Sequence, residues 1–153
     1  MAGLKYLVIH CTATAEGREV SSADIRRWHT APVSEGGRGW KQVGYTDLFH
    51  LNGGVERLVD NNEDANVDPW EITNGAAGYN SVSRHIVYAG GCAADGKTPK
   101  DTRTACQKKA LERYLTYRNG LKRSVLTNKK EERNEKVDFV FCADALLCVS
   151  RVR

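Results

Sequence analysis

Tyr6-Leu7-Val8-Ile9-His10-Cys11-Thr12-Ala13-Thr14 is an apolar run that ends in an imidazole and small polar residues. Its composition predicts a strand over about residues 4 to 11. Side chains alternate across a strand, so Tyr6, Val8 and His10 take one face while Leu7, Ile9 and Cys11 take the other. His10 then stands where the strand stops. In open α/β sheets ligands gather at the carboxyl ends of strands, and imidazole is the commonest metal ligand. A single strand histidine is more often structural than catalytic, so the residues downstream decide its meaning.

Downstream, Ser21 with Asp24 three residues on forms a capping box, and Ile25, Trp28 and His29 share a helical face, which predicts a helix over about 22 to 30. The imidazole of His29 there packs or caps. After a Gly-rich loop, Asp47-Leu48-Phe49-His50-Leu51, the turn Asn52-Gly53-Gly54 and Val55-Glu56-Arg57-Leu58-Val59 read as a hairpin over about 42 to 59, with Tyr45 on the same strand as His50. Within an irregular acidic stretch from Asp60 to Asn80, residues Asp60 to Trp70 are polar, acidic and turn-rich, an exposed loop ending in a short helix at Pro69. Its spacing does not match an EF-hand calcium loop. Arg84-His85-Ile86-Val87-Tyr88-Ala89 predicts a strand over about 83 to 89, and a helix follows over about 103 to 118. Strands interleaved with helices, one pair a tight hairpin, give an α/β fold: a single domain with a mixed central β-sheet flanked by helices on both faces.

The chain has 153 residues, 41% hydrophobic and 27% charged, enough for one sizeable core. No apolar run has the length of a signal peptide or a membrane span, so the expectation is a monomer that is cytoplasmic as synthesised, with no membrane partner. The five cysteines show no paired spacing and read as reduced thiols. A net charge of +4 gives weak attraction to anionic polymers. The tryptophans at 28, 40 and 70 are not interleaved with a basic stripe, so no nucleic acid is expected.

In order and spacing, Val8-Ile9-His10-Cys11-Thr12-Ala13-Thr14, Asp24-Ile25-Arg26-Arg27-Trp28-His29, Gly39-Trp40 with Val43-Gly44-Tyr45, the Asn-Gly-Gly hairpin, Gly78-Tyr79-Asn80-Ser81-Val82-Ser83 and Val87-Tyr88-Ala89-Gly90-Gly91 resemble the zinc-dependent N-acetylmuramoyl-L-alanine amidases related to phage T7 lysozyme and the peptidoglycan recognition proteins. The resemblance covers about residues 5 to 118. It implies a peptidoglycan partner and hydrolysis of the amide between N-acetylmuramic acid and L-alanine, acting on the cell wall after release. It implies Zn2+ held first by His10, with bound water near pKa 7, and Tyr45 as the catalytic phenol that donates to the developing oxyanion. Asn80 and Ser81 are candidate substrate contacts or ordinary turn residues. Arg84 is a peptide-carboxylate contact or a surface ion pair.

Beyond residue 118 the resemblance stops. The family's later histidine and Ala-Cys-Pro phrases are absent, and the histidines stand only at 10, 29, 50 and 85. Cys142, at the end of a strand expected over Val137 to Cys142, is the substitute metal ligand the sequence offers, with Cys148 six residues on. Such a ligand requires that strand to run beside the first one. Against it, two cysteines in an apolar segment are commonly buried small hydrophobes. The alternative is a peptidoglycan-binding module that has lost its metal site, with residues 119–153 a divergent tail.

Overall fold

The computed structural model describes residues 2–125, 138–142 and 145–151, with side chains through residue 118. In chain order the elements are β1 (Ala2–Gly3), β2 (Tyr6–Cys11), β3 (Thr14–Ala15), α1 (Ser22–Thr30), β4 (Asp47–Phe49), β5 (Val55–Arg57), β6 (Asn66–Val67), β7 (Ser83–Tyr88), β8 (Gly91–Cys92), α2 (Ala105–Val125), β9 (Asp138–Cys142) and β10 (Ala145–Arg151). Short 3-10 turns occupy Val33–Glu35, Pro69–Glu71 and Asn80–Val82.

The main sheet has six strands in the order β5-β4-β7-β2-β10-β9. Its centre, β4, β7 and β2, is parallel, and the remaining pairs are antiparallel. It is therefore mixed, as the sequence predicts. Ala13 has a left-handed backbone (φ 53), which breaks the first strand just after Cys11 and leaves His10 near its end.

Each face of the sheet is covered by one helix. Ile9, Cys11, Phe49, Ile86 and Tyr88 pack against Leu111 of α2, with Ala110, Tyr114 and Leu115 around them. On the other face Leu48, Val87 and Ala89 pack against Ile25 of α1 and against Val20, Val43, Leu58 and Val59. The reciprocal bonds between Ser21 and Asp24 start α1, and Ala31 followed by Pro32 ends it. Thr104 and Gln107 cap α2 in the same reciprocal way, at 3.0 and 2.9 Å. Fully buried Gln107 also donates to the carbonyls of Phe49 and Ala89, fastening α2 to the ends of β4 and β7.

Four expectations need correction. Residue 45 lies before β4 and not on a strand shared with His50, because pairing in the hairpin is confined to residues 47–49 and 55–57. The acidic stretch is only partly exposed: β6 pairs with β1, and Val67 and Glu71 are buried. That burial follows from Arg84, which is 2% exposed and so no surface ion pair. It donates to the carbonyls of Asp64 and Asn66 and to the Glu71 carboxylate at 3.1 Å. Finally, the strand expected at the end of the chain forms as β9, but β10 lies beside β2 and β9 pairs only with β10. Cys142 is therefore one strand removed from β2, and Cys148 sits in register with Ile9. The side chains of both cysteines lie outside the described residues.

Candidate active site

Parallel register places Val8 beside His85 and His10 beside Val87, so both imidazoles project from the face that α1 covers. His10 Nε2 and His85 Nδ1 meet at 3.0 Å. Tyr45 reaches the same point from the loop before β4, its ring centroid 5.0 Å from that of His10. His29, on the last turn of α1, lies 5.1 Å from Tyr45 and 4.9 Å from Trp40. Its Nδ1 accepts the backbone N–H of Gly44 at 3.0 Å, which fixes the tautomer and ties the helix to the Tyr45 loop. The structure thus brings together residues 10, 29, 40, 45 and 85.

Burial governs the electrostatics of this cluster. It pulls His10 down to about 3, helped by the neighbouring His85 and His29, and pulls His85 down to about 4. His29 falls to about 4, from burial and then from the charge of Arg38. Tyr45 rises to about 12, from burial and then from Cys11. At neutral pH this buried cluster therefore holds neutral imidazoles and a protonated phenol. Two neutral imidazoles share one proton across their contact. Nε2 of His85 is buried without a partner, and a buried bare acceptor is tolerated better than a buried bare N–H. His85 therefore donates from Nδ1 to His10 Nε2, and His10 carries its own proton on Nδ1.

Space for the His85 ring exists because residue 75 is glycine. A Cβ there would approach the ring far inside van der Waals contact and stand 2.7 Å from the Gly44 carbonyl oxygen.

The predicted substrate contacts lie on the turn that leads into β7. Asn80 and Ser81 precede β7, whose first residue pairs with Tyr6 at the opposite end of the sheet from His10. The Asn80 carboxamide accepts from the Ala76 N–H at 2.8 Å, and Ser81 is exposed.

No protein-family model matches the chain, and no curated protein matches it by sequence. By structure it is similar to the ectodomain complex of peptidoglycan recognition proteins LCa and LCx bound to tracheal cytotoxin. That likeness has 23% identity and a TM-score of 0.53, and it covers 76% of this chain and 61% of the other. The fold is that of the peptidoglycan recognition proteins. Bumblebee PGRP-SA is also similar, at 22% identity and a TM-score of 0.46 over 78% of this chain and 67% of that one. The chain spans about three fifths of the length of the first of these structures.

The donor atoms of the described side chains do not by themselves make a zinc site. A catalytic zinc uses three protein ligands, with His nitrogens at about 2.0–2.1 Å, and leaves the fourth position open. Among the described residues no three of His, Cys, Asp and Glu converge. Two imidazole nitrogens do converge, but they are bonded to each other, so the lone pair of His10 Nε2 is already engaged. His50, the remaining histidine, bonds Glu19 at 3.0 Å and Glu56 at 3.1 Å.

Sequence reasoning underweighted His29 and His85 and gave Trp40 no role of its own. The available signal was the i, i+4 pairing of Ile25 with His29. For His85, its place on a strand whose alternation matches that of His10 was readable, but its dependence on a glycine ten residues earlier was not.

Proposed function

We propose that the chain binds peptidoglycan fragments in the cleft lined by His10, Tyr45, His29, Trp40 and His85. The observation that carries this reading is the convergence of these five rings on one face of a peptidoglycan recognition fold. Aromatic rings give a sugar or peptide a flat, desolvated floor, and the neutral imidazoles and phenol supply hydrogen bonds without a charge to desolvate. The phenol of Tyr45 donates to a carbonyl or hydroxyl oxygen of the ligand, and the Nδ1–H of His10 is a second donor. Titration with a soluble muramoyl tripeptide in chelator tests this: saturable one-to-one binding is expected, weakened at least about tenfold by Trp40→Ala, a change of roughly 1.4 kcal/mol.

The finer reading is zinc-dependent hydrolysis of the muramoyl-L-alanine amide, with His10 as metal ligand and Tyr45 assisting. It is favoured by the closeness of Tyr45 to His10, 5.0 Å between ring centroids. It requires His10 to exchange His85 for the metal and Cys142 or another residue outside the described side chains to join it. Zinc at one equivalent per chain, lost in Cys142→Ala, would support this reading; absence of zinc from metal-supplemented protein would leave the binding reading alone.

A further inference from the structure

His85 is fixed in the middle of the main sheet. Its carbonyl accepts the N–H of Thr46 at 2.6 Å, its register partner on β2 is Val8, and its ring is fully buried. Gly75 lies against one flank of that ring, where a Cβ would not fit. From this position Nδ1 of His85 reaches Nε2 of His10, the next residue along β2 on the same face, at 3.0 Å.

The protons on the two rings follow from which nitrogens can be met. An N···N contact needs one N–H and one lone pair. Were His10 the donor, His85 would carry a proton on Nε2, an atom sealed from solvent without a partner, and a buried bare N–H is tolerated less well than a bare acceptor. His85 is therefore the donor, and a histidine whose Nε2 accepts carries its own proton on Nδ1. No described residue bonds Nδ1 of His10, and that atom is not one of the sealed, unpartnered ones. Both remaining lone pairs are withdrawn: the one on His10 Nε2 is engaged, and the one on His85 Nε2 is enclosed. A histidine that holds a metal through one nitrogen donates the N–H of the other to an acceptor. Here the partner of His10 is a donor, the opposite polarity.

We propose that His85 is a positioning residue that makes His10 a hydrogen-bond donor instead of a metal ligand: it holds Nε2 from within the sheet, fixes the proton on Nδ1 and leaves that N–H for the ligand. The nature of the ligand rests on the peptidoglycan-binding reading, whereas the state of His10 does not and is measured without any ligand.

The test follows the imidazole nitrogen resonances of isotope-labelled protein at neutral pH in chelator. Wild-type His10 should show the Nδ1–H tautomer with a scalar coupling across the hydrogen bond to His85, and one equivalent of Zn2+ in place of the chelator should leave both unchanged. His85→Ala removes the donor, so the Nε2–H tautomer of His10 should become populated, and affinity for muramoyl tripeptide should fall about fivefold. His85→Asn places an amide N–H as many bonds from Cβ as Nδ1 is, and it should restore the Nδ1–H tautomer and most of the affinity, which a residue that only filled space would not require. Urea unfolding establishes that each variant is folded. A wild-type His10 protonated on Nε2, a Zn2+-dependent shift of its resonances, or no recovery of the tautomer in a folded His85→Asn variant would overturn the proposal. The expected tautomers with no tripeptide binding by the wild type would keep the role of His85 and overturn the peptidoglycan reading instead.

Discussion

Gly75→Ala isolates the contact on which the imidazole pair depends. The backbone at Gly75 is not left-handed, so alanine meets no conformational penalty there and its effect is steric. The new methyl would stand less than 3.0 Å from both the His85 ring and the Gly44 carbonyl oxygen. Backbone flanks it on one side, so the ring must move, and its bond to His10 breaks with it. Overpacking of this kind costs about 1–3 kcal/mol, and leaving a buried ring nitrogen unpaired costs about 1–3 kcal/mol more. A loss of about 3 kcal/mol should lower the urea midpoint by roughly 1–3 M, given m values of about 1–3 kcal/mol/M. The decisive comparison is the double variant. Removing the ring in Gly75→Ala, His85→Ala relieves the clash, so the two losses should fall short of additivity by about 1–2 kcal/mol. Additivity within about 0.5 kcal/mol would refute the claim that residue 75 and the His85 ring compete for the same space.

Other outcomes follow from the same geometry. An unfolded histidine titrates near 6.5, whereas His85 and His29 sit near 4 and His10 near 3. The stability held by these neutral rings is therefore complete above pH 6.5 and is lost as pH falls through the folded values, at up to about 1.4 kcal/mol per pH unit for each ring; urea midpoints that stay flat from pH 6.5 to 4.5 would contradict this. Gln107→Ala should lose about 2–3 kcal/mol, read by thermal unfolding, because it removes the α2 cap and leaves the Phe49 and Ala89 carbonyls unpaired. Asn80→Ala should cost about 1 kcal/mol through its lost bond to the Ala76 N–H, while Ser81→Ala should leave stability unchanged, so a drop in muropeptide affinity in the Ser81 variant would identify a ligand contact.

Much of the fold was legible because local signals agreed with one another. The alternation in residues 6–11, the Ser21–Asp24 capping box and the Asn52-Gly53-Gly54 turn each encode structure within a few residues. The place of β10 beside β2 was not legible, since strand order depends on contacts between residues more than a hundred positions apart. The same division holds at the candidate site. His10 and Tyr45 were readable from their pattern, and the structure sets them in contact. The burial of Arg84, which looked like a ligand or surface group, depends on Glu71 and the carbonyls of Asp64 and Asn66, residues 13 to 20 positions away. Likewise, the pairing of His85 with His10 spans 75 positions and needs a glycine at residue 75, so no window of sequence displays it.

The most direct test of the account is a titration of isotope-labelled protein with muramoyl tripeptide in chelator, following the imidazole resonances of all four histidines. Binding in the ring-lined cleft predicts saturable shifts at His10, His29 and His85 with one common dissociation constant, while His50, held between Glu19 and Glu56, stays unmoved. Shifts confined to His50, or none at any histidine while the ligand binds, would contradict it.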